Sequence, residues 1–271
     1  MTMDRCATLN EPAPTLTVPP SARTSPLFWS DVSLVSVALI WGINIPLMKT
    51  GLDQIDLFVF NAIRLVVSAA VLVAFALRER QRGVLPGPLV RPRHLVIYGL
   101  AVSAVYQMLF LMGVARTTSG NTALIIATVP LWTALFARLF LGEALRRLAC
   151  GGLMVALAGT VIVALQKGDV TAGGQHLAGN LIVLASALMW AAGTVYSRPL
   201  LQQISPLQLA AAATAIALPV HLIAALGRYE SSLPALSSVP LWLIIVYSGV
   251  FSSGLALPMW NYGVRHAGAA H

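Results

Sequence analysis

Charge is scarce in this sequence. Aspartate, glutamate, lysine and arginine make up 10% of its 271 residues, while 58% are hydrophobic; a soluble domain carries about 25% charged residues. With a mean hydropathy of +0.81, the chain has to be read as a membrane protein rather than an ordinary soluble domain. Cysteine is nearly absent: Cys6 and Cys150 stand far apart, with no metal-ligand or disulfide spacing. Also missing are an HExxH on an apolar run, a paired-carboxylate metal motif, a Gly-x-Ser-x-Gly signature and a glycine-rich cradle followed by lysine. These absences argue against an intramembrane enzyme, a metal site, phosphate binding and a cofactor. His94, His176, His266 and His271 lie at the ends of apolar runs or in loops. The net charge of +8 and pI near 10.2 would suit nucleic acid, but there is no basic stripe with interleaved aromatics. The arginines are read as lying between apolar runs, as the positive-inside rule expects.

A bilayer core about 30 Å thick takes roughly 20 apolar residues as helix. Eight such runs are present, near 32–52, 57–77, 94–115, 120–141, 148–166, 177–197, 206–227 and 240–263. Residues 1–28 include "NEPAPTLTVPPSARTSP" and are expected to form a disordered tail, since they are rich in Pro, Ser and Thr and lack a signal-peptide core. The connector "RERQRGVLPGPLVRPRH" carries Arg78, Arg80, Arg82, Arg91 and Arg93, which places it, and the N-terminus two spans earlier, in the cytoplasm. Arg146, Arg147 and Arg198 then fall inside, while "QIDL" and "QKGDVTAGGQH" fall outside; Lys49 and Arg116 are exceptions on the outer side.

The sequence also repeats itself. When "WGINIPLMKTGLDQI" from Trp41 is set above "WAAGTVYSRPLLQQI" from Trp190, Trp41 meets Trp190, Lys49 meets Arg198, Leu52 meets Leu201, Gln54 meets Gln203 and Ile55 meets Ile204 at one constant offset. One residue further on in offset, Gly113-Val114 meets Gly263-Val264. The weight rests on the tryptophan and the cation at equal spacing. The first span then answers to the sixth, so one repeat holds five spans, and an odd number inverts the second copy, as in secondary transporters.

The stretches "WGINIPLMKTGL", "GVARTTSGNTALIIATVPLWTALFARLFLGEAL" and "WAAGTVYSRPL" resemble the EamA-type members of the drug/metabolite transporter superfamily. The resemblance covers roughly residues 30–271, and its strongest piece is the fourth span, with Pro130 and the "LGE" of Leu141 to Glu143. It implies an all-α polytopic membrane helix bundle of two inverted five-span repeats, with cytoplasmic termini and a central substrate cavity, that moves metabolites such as amino acids across the inner membrane. Residues 29–170 are expected to be the first repeat and 171–271 an incomplete second repeat of three spans. Residues 120–166 find no second copy before His271, so the last two spans are expected to be absent, as in a C-terminally truncated chain. The function implied is secondary transport of amino-acid-like or drug-like solutes, directed to export, by alternating access. The alternative is a non-transporting fragment or subunit that takes the missing spans from a partner. The expected partners are the lipid bilayer and a small-molecule substrate, with homo-oligomerisation left open and nucleic acid excluded.

Transport needs polar groups on helix faces that line a cavity. Asn44 sits mid-run two residues before Pro46, whose missing donor frees a carbonyl, although it could equally bond a neighbouring helix. Tyr106 and Gln107 lie mid-run in the third span; adjacent residues point about 100° apart, so at most one is expected to face a cavity squarely. Trp260 and Asn261 follow Pro258, Trp132 follows Pro130, and Trp190 and Tyr196 lie in the sixth span. Each is a cavity candidate, with interface or core packing as the plain alternative. Lys49 and Arg198 are expected to hold helix ends at the headgroups, with Lys49 as a titratable, substrate-facing cation the lesser alternative. No Asp or Glu lies well inside a span: Asp31, Asp53 and Asp56 flank spans and Glu143 ends one. That leaves His221 as the lone titratable candidate, more simply a structural hydrogen-bonder, and favours facilitated or exchange transport over a carboxylate-driven antiport.

Overall fold

In a computed structural model the chain is described for residues 26–86, 90–143, 151–152, 154–155, 157–159, 161–162 and 174–268, and these residues form helices and short connectors without a strand. Seven helices among them are long and apolar enough to cross a membrane. They are α1 (Pro26–Leu52), α2 (Leu57–Gln81), α3 (Pro92–Arg116), α4 (Ser119–Leu141), α5 (Gly174–Leu200), α6 (Pro206–Ala225) and α7 (Val239–Ala267). The chain is a multi-pass membrane protein. The expected fifth span, 148–166, lies largely outside the described residues. So do residues 1–25 of the expected tail, but residues 26–28 already belong to α1, because Pro26 at a helix start gives up a hydrogen bond that no helix needs there.

The starts of α2, α4 and α6 are marked by a polar cap followed by an apolar run. Asp56 caps α2 by accepting from Phe58 N at 2.9 Å, Thr118 caps α4 by accepting from Asn121 N at 3.1 Å, and Ser205 caps α6 by accepting from Gln208 N at 3.1 Å. The glycine of "LGE" ends α4: Gly142 takes φ +68, the left-handed turn that stops a helix. Glu143 is thereby set 3.6 Å from Arg198.

Lys49 and Arg198 are not simply headgroup anchors. Lys49 Nζ donates to the carbonyls of Val114 (3.1 Å) and Ala115 (3.3 Å) at the end of α3. Arg198 Nη1 donates to the carbonyl of Arg265 (2.6 Å) at the end of α7. A helix C-terminus has carbonyls without intrahelical donors and a partial negative charge, and each cation answers both on a neighbouring helix.

α2 and α6 pack side by side; α3 lies along α5, and α7 along α1. Two π-helical segments interrupt the third and last of these helices, Gly99–Val105 in α3 and Ser248–Leu255 in α7. With Gly113-Val114 set on Gly263-Val264 the two segments coincide, Gly99 on Gly249 and Ser103 on Ser253. The first rests on α6 and the second on α2. Glycine makes these approaches: a Cβ at Gly249 would lie 2.9 Å from the carbonyl oxygen of Arg64, and one at Gly179 in α5 would lie 2.6 Å from that of Arg116. Among the described residues the two larger apolar cores lie around Met48, Phe60, Leu111 and Ile245 and around Leu72, Tyr98, Leu201 and Leu209. Gly179→Ala should lower thermal stability in detergent by about 1–3 kcal/mol through overpacking against backbone. Gly42→Ala, which meets nothing within 4 Å, should leave the melting curve in place.

Candidate functional site

Between the two larger cores the bundle holds a cavity of about 80 Å³. α1 contributes Trp41 and Asn44, α2 Arg64, α3 Ser103, Tyr106 and Gln107, α5 Trp190, and α7 Ser252 and Ser253. No lining residue is an Asp or Glu.

Arg64 sits about 10 Å along α2 at a rise of 1.5 Å per residue, and only 4% of its surface is exposed. Its Nη2 donates to Asn61 Oδ1 at 2.6 Å and to Gln107 Oε1. Because Asn61 presents its oxygen to the guanidinium, its Nδ2 is the atom 2.8 Å from His221 Nδ1. The other ring nitrogen, Nε2, is 2.7 Å from the carbonyl oxygen of Ser103, which can only accept. Every direction is then fixed: Arg64 donates to Asn61, Asn61 to His221, and His221 through Nε2–H to Ser103, with a neutral imidazole. Ser103 lies in the π segment of α3, where the regular backbone ladder is broken and a carbonyl becomes available to a side chain. Its counterpart in α7 offers Ser252 O, which accepts from Trp41 Nε1 at 2.9 Å. The guanidinium therefore has neutral acceptors but no counter-ion among the described residues.

Aromatic rings cover the wall beside this chain. Trp41 and Trp190, the pair that marks the sequence repeat, meet edge to face with centroids 5.3 Å apart. Tyr106 lies 4.7 Å from Trp190, and Trp260 stands 5.6 Å from Trp41 and 5.8 Å from Trp190. Such contacts add about 0.5–1.5 kcal/mol each beyond area burial, so the wall is stiff before any ligand arrives.

The structure brings together Asn44, Tyr106, Gln107 and Trp190 on the cavity. Asn44 is buried and accepts from Ser248 Oγ at 2.5 Å. Tyr106 and Gln107 both face it, contrary to the expectation of one: Val102, Tyr106 and Phe110 form one stripe of α3, Ser103 and Gln107 the next, and the cavity spans both. Trp260 joins the aromatic cluster behind the lining. Three candidates lie elsewhere. Trp132 donates through Nε1 to Thr128 Oγ1 at 3.1 Å, where α4 breaks before Pro130. Tyr196 pairs with His94 Nδ1 at 2.7 Å. Asn261, fully buried, accepts from Tyr98 Oη at 3.4 Å and donates to Pro206 O at 3.3 Å. Lys49 is occupied at the end of α3, and His221 is a link in the polar chain. Pro46 lies inside α1, and Pro258 falls in the first turn after the π segment of α7, where its missing donor is tolerated.

Arg64 and Asn61 were missed. The reading that arginines lie between apolar runs fails at "NAIRLVV", where a lone cation stands inside the second span with an asparagine one turn before it. An intramembrane ionisable residue is a functional candidate by default, so the signal was available.

The profile of the EamA-like transporter family matches residues 28–165 and 177–271. The chain is 29% identical over 246 residues to the inner membrane transporter YedA of Escherichia coli strain K12, covering 90% of this chain and 76% of that protein. It is 26% identical over 247 residues to a probable terminal-alkyne amino-acid exporter of Streptantibioticus cattleyicolor, covering 88% and 77%. A probable amino-acid metabolite efflux pump of Salmonella typhimurium strain LT2 is 24% identical over 169 residues, covering 61% of this chain and 52% of that one. A protein crystal structure superposes with a TM-score of 0.66 at 22% identity, over 86% of this chain and 80% of its own, a likeness of fold.

Proposed function

Since the chain belongs to the EamA-like transporter family, we propose that it exports small amino-acid-like or drug-like solutes across the inner membrane by alternating access around the central cavity. The observation that carries this reading is the cavity itself: it is lined from α1, α2, α3 and α4 on one side of the sequence and α5 and α7 on the other. Polar groups and irregular backbone at that depth are tolerated where they face a cavity rather than lipid. Support for two inverted halves comes from the paired features of the fold: the matching π segments, and the two cations that cap α3 and α7. Two relatives named for export of amino acids or their metabolites favour the outward direction. The N-terminus is cytoplasmic, on the strength of the arginine-rich connector after α2.

Cells expressing the chain should lose preloaded radiolabelled amino acids faster than cells without it. Asn44→Ala and Tyr106→Ala should each slow that efflux by about tenfold, the worth of one hydrogen bond or ring contact, at unchanged membrane content. Unchanged flux in both variants would remove these residues from the site. For orientation, an Arg82→Cys chain should be protected from an impermeant thiol reagent in intact cells and an Asp53→Cys chain labelled; the reverse pattern would invert the topology.

A further inference from the structure

We infer that the solutes carried bear a carboxylate, bound by Arg64 and Ser103 at one end of an aromatic slot; the assignment rests on the transport reading above. A guanidinium presents five N–H donors, and Arg64 uses only the pair on Nη2. Its Nε is fully buried and has no acceptor. Ser103 Oγ, on the same cavity, is likewise buried and without a partner. Buried polar atoms in native structures are nearly always satisfied. Both atoms are covered by protein here, so an acceptor that arrives with the ligand meets the guanidinium first at Nη1, which makes no hydrogen bond among the described residues, and reaches Nε and Ser103 Oγ only as these side chains turn toward it.

The charge of that acceptor follows from its surroundings. Asn44, Gln107, Ser252 and Ser253 are uncharged, the imidazole of His221 is held neutral by its two hydrogen bonds, and no carboxylate lines the cavity. An unpaired buried cation is costly, so a carboxylate gains from both charge and hydrogen bonds, while an amine that has no carboxylate is repelled. A phosphate is a poorer match, because no second cation lines the cavity and Lys49 is spent on the carbonyls of α3. Beyond the cation the wall is Trp41, Tyr106 and Trp190, which accepts a flat or apolar body. Arg64 and Ser103 thus read the head group, and the aromatic rings read the remainder.

The test uses three small probes that share a ring and differ in the head group: phenylacetate, phenylacetamide and phenethylamine. Each competes for radiolabelled phenylacetate on the purified full chain in lipid nanodiscs. Phenylacetate should bind at least about tenfold more tightly than the other two, as a charge-assisted hydrogen bond requires. Ser103→Ala, which removes only an unpartnered hydroxyl, should weaken phenylacetate by about tenfold and leave phenylacetamide within about threefold. Arg64→Lys and Arg64→Met should erase the preference in whatever fraction folds. Equal affinities, a preference for the amine, or no binding of phenylacetate would overturn the carboxylate assignment while leaving an observed efflux intact. Head-group selectivity without any efflux would instead leave the site and remove the transport reading.

Discussion

Holding a guanidinium inside a bundle of apolar helices costs several kcal/mol even after the protein relaxes around it. Arg64 meets that cost only in part. Asn61 and Gln107 accept from one nitrogen, Nε is buried without an acceptor, and the residue lines the cavity. Much of the surrounding structure follows from keeping those two acceptors in place. Asn61 is oriented by His221, His221 is oriented by the carbonyl of Ser103, and that carbonyl is available because α3 is π-helical there. The chain crosses from α2 to α6 to α3, so three helices share one polar seam where each alone would present an unpaired group to apolar neighbours.

The same economy of means appears at the helix ends. Lys49 and Arg198 reach across to carbonyls that their own helices do not own, and so tie α1 to α3 and α5 to α7. Asp56 at the start of α2 pairs with Arg228 beyond α6 at 3.1 Å, while Ser205 at the start of α6 donates to Glu79 in the last turn of α2. The middle of the bundle is left to the cavity, flanked by an apolar core at either end. Strong ties at both ends around a loosely filled centre suit a carrier whose helix pairs move as units.

The bundle was legible because long apolar runs bounded by arginine and proline have few other solutions in a bilayer. Trp41 and Trp190, aligned in the sequence, meet in space, while the capping done by Lys49 and Arg198 could not be read without knowing which helix ends lie beside them. Asn44, Tyr106, Gln107 and Trp190 could be picked out as polar or aromatic residues at mid-span depth. Trp132, Tyr196 and Asn261 looked the same in sequence, yet Trp132 bonds within its own helix and the other two face neighbouring helices, because rotation about the helix axis depends on packing that no single run encodes. The π segments left no clear mark, since Gly, Ser, Ala and Val suit either helix. Arg64 is the opposite case: a plain signal in the sequence, a lone cation inside an apolar run, which the rule that places arginines in loops does not cover.

The most direct measurement is a crystal structure of the chain with a brominated phenylacetate bound, located by the anomalous signal of the bromine. The bromine is expected among Trp41, Tyr106 and Trp190, with a carboxylate oxygen about 3 Å from Arg64 Nε or Nη1. A bromine peak on the lipid-facing surface, or a carboxylate turned away from Arg64, would contradict the claim that the unpaired guanidinium is the centre of the substrate site.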